Sequence, residues 1–164
     1  MIRRFGALSL ALLLLAGCFY GFAGGGLPSH IKSVAVLPFE NETPVPELQR
    51  QIFERMRGQL LGRLGLREAS ESRADAVVRG VIRRYDADVP IAYTADREQS
   101  TSARRKLQIA VDMEIVDQTN GRTLFQRRGF TADGDYQEGA ENEGRREAIE
   151  RLVNDVIEGA QSQW

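Results

Sequence analysis

Cys18 is the single cysteine of this 164-residue chain, and it directly follows Leu15-Ala16-Gly17. Small residues before a cysteine suit the narrow entry of the lipoprotein signal peptidase, and the freed residue then carries acyl chains, palmitate among them, on its thiol. Arg3 and Arg4 precede an apolar run from Phe5 to Leu15. That run is too short to span about 30 Å of hydrocarbon, which takes about 20 apolar residues. Residues 1–17 therefore read as a cleaved export signal, with lipid attachment at Cys18. The thiol has no disulfide partner, and lipidation removes it from an oxidising compartment. Each buried methylene contributes about 0.8 kcal/mol, so two or more acyl chains give durable attachment to a membrane.

Beyond Cys18 the chain offers little that could catalyse. His30 is the one histidine, so nitrogen and sulfur metal sites have no ligand set. It reads as a tether or surface histidine, because no Gly-x-Ser-x-Gly elbow accompanies it. Asp133-Gly134-Asp135 matches only a fragment of a calcium loop. Gly24-Gly25-Gly26 lacks both the preceding strand and the following Lys-Ser/Thr of a phosphate loop. No catalytic residue, metal or cofactor is expected.

The basic residues are more informative. Arg83 and Arg84, then Arg104, Arg105 and Lys106, then Arg127 and Arg128 fall in or beside successive predicted strands. Folded as hairpins, they form a cationic area whose guanidinium forks match phosphate. The competing reading pairs them with Asp86, Asp88, Asp112 and Glu114 on a solvated face. The whole chain carries 22 basic and 23 acidic residues, and loss of Arg3 and Arg4 makes the mature form slightly more acidic still. That balance argues against a nucleic-acid partner.

The elements that must position these residues follow from periodicity. Residues 18–30 form the lipidated start and a glycine-rich tether, and 31–164 form one domain. Ile31 to Phe39 is a strand, and Glu47 to Leu64 is a helix with apolar residues at three- and four-residue steps. Ala76 to Val89 is a second strand, followed by a polar loop from Pro90 to Ser102. Leu107 to Asp117 alternates cleanly, with Leu107, Ile109, Val111, Met113 and Ile115 on one side and Gln108, Asp112 and Glu114 on the other. Asn120-Gly121 signals a hairpin into a fourth strand, Thr123 to Tyr136. Two registers place Glu114 opposite Arg127, or Asp112 opposite Arg128. A final helix runs from Glu143 to Gln161. The order β-α-β-β-β-α predicts an α+β two-layer sandwich. Its two helices pack on a four-stranded mixed, largely antiparallel sheet.

Cys18-Phe19-Tyr20-Gly21-Phe22, the segment Leu27 to Asn41 with its Val34-Ala35-Val36-Leu37-Pro38-Phe39, and this element order together resemble the LptE family. The likeness covers essentially the whole mature chain. It implies a non-enzymatic lipoprotein that helps an LptD-like outer-membrane barrel assemble, plugs it, and contacts lipopolysaccharide in transit. Under that resemblance Arg83, Arg84, Arg104, Arg105, Lys106, Arg127 and Arg128 are the candidate lipopolysaccharide contacts. Phe19 in place of an aspartate after the cysteine is similar to Gram-negative lipoproteins sent to the outer membrane, where the domain would face the periplasm. The Val34 to Asn41 segment is also similar to lipoproteins of curli secretion and to those that activate peptidoglycan synthases. The short tether favours the barrel partner over a synthase reached across the periplasm, and the missing long amphipathic hairpins disfavour a secretion pore.

Overall fold

The computed structural model describes residues 27–89 and 104–162. Cys18, the expected export signal and the Pro90–Ser102 loop lie outside the described residues. The elements are β1 (Ser33–Val36), β2 (Glu40–Asn41), α1 (Glu47–Gly62), β3 (Arg67–Glu68), β4 (Ala76–Val89), β5 (Arg104–Asp117), β6 (Thr123–Gln137) and α2 (Glu141–Ser162). They build the expected α+β sandwich, with a helix layer on one face of a mixed sheet. The sheet has six strands where four were expected, in the order β3-β1-β4-β5-β6 with β2 also beside β4. β1 runs parallel to β3 and β4, while β4, β5 and β6 are antiparallel.

The two additional strands are two residues each, too short to leave a periodic trace. β2 exists because the first strand is interrupted at Pro38, which has no N–H for the ladder. Val36 stands opposite Val78 and Glu40 opposite Val81, so the leading strand carries one extra residue between the two pairings. Leu37 N–H donates to Val78 and Glu42 N–H to Ile82, at 2.9 and 3.0 Å, so the ladder resumes beyond the break. One extra residue exchanges the two faces of a strand. Ala35 and Leu37 thus lie with Val77 on the side away from the helices, whereas Phe39 turns to the helix side and is fully buried. Gly80 makes room for it: a Cβ there would stand 2.6 Å from the Phe39 ring and from the Asp112 carbonyl oxygen.

The core lies between sheet and helices. Leu48, Ile52, Met56 and Leu60 of α1 and Leu152, Val153, Val156 and Ile157 of α2 meet the inward residues of β5. Those inward residues are the alternating set expected, from Leu107 to Ile115. Arg55 reaches Glu150 and Arg63 reaches Glu158, at 2.8 and 3.5 Å, so the two helices run the same way side by side. α2 also presses onto β6, where Gly134 and Gly144 bring the two backbones together. A Cβ on Gly134 would lie 1.8 Å from the Gly144 carbonyl oxygen.

The β5–β6 turn forms at Asn120-Gly121, with Gly121 at φ 70° and the Asn120 side chain accepting from Arg122 N–H at 2.9 Å. Neither expected cross-strand ion pair forms there. Glu114 faces Gln126 and Met113 faces Arg127, because β6 is irregular at Leu124 and again at Arg128–Gly129. The second irregularity puts two residues opposite Asp112, and Gly129, at φ 59°, donates its N–H to Asp112 Oδ1 at 2.7 Å. The carboxylates find their guanidinium partners on β4.

Gly134→Ala forces α2 away from β6 and is expected to cost about 1–3 kcal/mol of stability. Gly58→Ala, in open space on α1, is expected to gain up to about 1 kcal/mol. Denaturant melts of the two variants check this, and equal shifts would contradict the close α2–β6 contact.

Candidate functional site

The sheet face away from the helices holds a shallow groove of about 540 Å³, lined by Arg79, Arg83, Asp112, Glu114, Gln126 and Arg128 among others. Alternation places these residues outward on β4, β5 and β6, and the facing register joins them. Arg79 stands opposite Glu114 and pairs with it. Arg83 holds Asp112 at 2.8 Å and Glu42 at 2.5 Å. The Gly129 N–H and then Arg83 hold the Asp112 carboxyl below its ordinary range, with Arg128 adding to the effect.

Further along, Arg84 pairs with Asp86 at 2.8 Å and donates to the Gln108 side-chain oxygen at 3.1 Å. Gln108 in turn donates to Asp133 at 2.8 Å, and Lys106 approaches the same carboxylate at 3.4 Å. Arg105 bridges Asp88 and Glu138 at 2.8 and 3.0 Å. The structure therefore brings Arg83, Arg84 and Lys106 together on one face with acidic partners there, whereas Arg105, opposite Tyr136, stands on the other side of β5. Arg104 opens β5 opposite Gln137.

Arg127 and Arg128 differ. Among the described residues neither makes an ion pair. Arg127 has turned toward the helix side at the β6 edge, its guanidinium 5.8 and 5.1 Å from the ring centres of Phe125 and Phe130. Such stacking fixes a cation without neutralising it. Arg128 is exposed at the irregular step opposite Asp112. The sequence carried a signal for this pair: no acidic residue occurs between Asp117 and Asp133.

His30 was expected as a tether or surface residue, and it remains half-exposed, yet it is engaged. Its Nε2 lies 2.7 Å from Oδ2 of Asp117, whose side chain is only 1% exposed. Thr119 N–H donates to the other oxygen at 2.8 Å. Nearby, Asp75 accepts from Lys32 N–H, Ser33 N–H and the Ser33 hydroxyl at 2.8–2.9 Å. These contacts, with Leu27 packed against the core, fix where the chain enters the domain. Sequence reasoning missed both aspartates, since their partners lie more than 40 residues away. Among the described residues no cluster of three or more His, Cys, Asp or Glu could hold a metal, and no described helix is long and apolar enough to cross a membrane.

The family model for LptE, lipopolysaccharide-assembly, matches residues 31–159, from the entry into β1 nearly to the end of α2. The chain belongs to the LptE family. LptE is a non-enzymatic, outer-membrane lipoprotein family with a role in lipopolysaccharide assembly. No curated protein matches this LptE chain in sequence. Among solved structures, XCC0632 from Xanthomonas campestris is 8% identical with a TM-score of 0.57, over 84% of this chain and 90% of that one. The PelC dodecamer from Paraburkholderia phytofirmans is 18% identical with a TM-score of 0.53, over 84% and 94%. Hypothetical protein CT253 from Chlamydia trachomatis is 12% identical at 0.52, over 80% and 96%. At such identities these show that the chain shares its fold with them, and no more.

Burial pushes the Asp117 carboxyl up, but the hydrogen bonds from His30 and Thr119 outweigh it and leave the group below its ordinary value of 3.8. A carboxyl depressed on folding stabilises above its unfolded value, and that contribution is lost as pH falls through the folded one. Asp117→Asn is thus expected to lower Tm by a few degrees at pH 7, for a loss on the order of 1–2 kcal/mol. The gap between variant and wild type should close as pH drops below 3.8. Thermal melts at pH 7 and pH 3 check both, and a constant gap would contradict the pairing.

Proposed function

We propose that this chain is the lipoprotein subunit of an outer-membrane lipopolysaccharide translocon. Acyl chains on Cys18 hold it to the outer membrane with its domain facing the periplasm. There it assists assembly of an LptD-like β-barrel, plugs that barrel, and touches lipopolysaccharide in transit through Arg127 and Arg128. The observation that carries this reading is the LptE match over residues 31–159, and the uncompensated pair at the β6 edge gives it a contact point. Phosphate is the natural counter-ion for two guanidiniums that make no ion pair among the described residues. Arg83, Arg84, Arg105 and Lys106 each have a carboxylate already. A phosphate there would have to displace that partner, which leaves these four outside the lipid path.

The test combines barrel pull-down with lipopolysaccharide binding on the same purified full-length protein. Arg127→Glu with Arg128→Glu should weaken lipopolysaccharide binding by about tenfold or more, since it deletes two charged contacts and adds repulsion. Barrel capture should persist. Lys106→Gln should change binding by less than about threefold, as expected of an already paired surface cation. Undiminished binding by the double variant would remove Arg127 and Arg128 from the lipid path. Capture of a peptidoglycan synthase, with no barrel even from wild type, would overturn the translocon reading.

A further inference from the structure

β6 forms one border of the sheet and runs for 15 residues, whereas β3 at the other border has two. The outer edge of β6 is closed at one end only. There the outward backbone is met by α2: Arg151 donates to the Asp133 carbonyl oxygen at 3.2 Å, and Asp135 N–H donates to Glu147 at 3.1 Å. Toward the Asn120-Gly121 turn the edge changes character. Ala132, Phe130, Arg127 and Phe125 stand opposite alternate residues of β5, from Ile109 to Ile115. With Asp133 facing outward, strand alternation turns the peptide groups of Thr131, Arg128 and Gln126 outward as well. Among the described residues no donor or acceptor meets these groups, and all three residues are exposed.

The side chains beside this open stretch say what could fill it. Gln126 and Arg128 line the sheet groove, while Phe130 lies half-buried on the helix side under the Arg127 guanidinium. No acidic residue occurs between Asp117 and Asp133. Charge and an irregular step are devices that keep a strand edge from pairing with its like. A second copy of this edge would set arginines against arginines, and like charges on facing strands destabilise the pair. The same arginines favour an edge that carries acid.

We infer that the Gln126–Thr131 edge takes an extended acidic segment of another protein as an added strand. Its backbone would pair with the outward peptide groups of Gln126, Arg128 and Thr131. An acid would lie beside Arg128 on one face, and an apolar side chain beside Phe130 on the other. Main-chain hydrogen bonds give such pairing its affinity, and alternate side chains give it choice of partner. The inference goes beyond the proposed lipid contact, because strand addition uses backbone groups that a phosphate on the guanidiniums leaves untouched. A strand and a phosphate ask for the same Arg128, so they exclude one another there.

The experiment follows amide hydrogen exchange by NMR on the full lipidated chain in a neutral maltoside detergent, without lipopolysaccharide. The probe is a peptide of about eight residues, a common strand length, alternating valine and glutamate. Saturating peptide is expected to slow exchange at the Gln126 and Thr131 amides by about tenfold or more. A valine–lysine peptide should bind at least about tenfold more weakly, and Arg128→Glu should reverse that order of preference. A glutamate peptide N-methylated at alternate residues keeps its charge but lacks the ladder donors, and should lose the protection. Unprotected amides at saturation, equal protection by the lysine peptide, or undiminished protection by the methylated one would each overturn strand addition. So would a chain that self-associates with these amides already protected, which would hand the edge to a second copy. Lipopolysaccharide is absent throughout, so failure here is distinguishable from failure of the lipid contact.

Discussion

A sheet covered on one side must keep its other side wet, and each charge on that wet side must be balanced or used. Met113 and Ile115 point from β5 into the helix layer, while Asp112 and Glu114 point the other way. The buried half supplies cohesion through the hydrophobic effect. The wet half does not need to be charged for the fold to stand, and exposed ion pairs there add little stability. What the pairs do is spend most of the cationic charge internally. Arg79, Arg83, Arg84 and Lys106 all meet acids on β4, β5 or β6. On the sheet side, charge for a partner is left at the Arg127–Arg128 edge.

Local irregularities decide where that charge lies. The extra residue at Pro38 turns Phe39 onto Gly80 and so seats the leading strand against β4. The step at Arg128–Gly129 moves Asp112 onto a backbone N–H and away from the arginines of β6. Had the β5–β6 ladder stayed regular, a carboxylate would have faced one of the two guanidiniums. At the other end of the sheet, Asp75 and Asp117 grip the entering chain at Ser33 and His30. In the proposed anchoring, that grip keeps the domain close to its lipid.

The large features were legible because their signals are local. The alternation of β5, the Asn120-Gly121 turn and the apolar stripe of α2 each sit within one stretch of chain. β2 and β3 were not legible, since a two-residue strand is defined by its neighbour alone. The partners of the arginines were not legible either: register is shifted near Arg83 and again at Arg128, and one residue of slip changes every pairing. The Arg55–Glu150 pair was not legible because the two residues are 95 apart and meet only when the helices lie parallel. The acid-free run between Asp117 and Asp133 was in plain view, and its meaning depended on knowing that β6 is an edge.

The central claim is that lipopolysaccharide passes the β6 edge beside Arg127 and Arg128. A photo-cross-linking residue at position 126, an exposed site lining the sheet groove next to that pair, tests it in living cells. The expected result is a lipopolysaccharide adduct from position 126 and none from position 158, which is exposed on α2. Adducts of equal yield at the two positions, or at 158 alone, would contradict it.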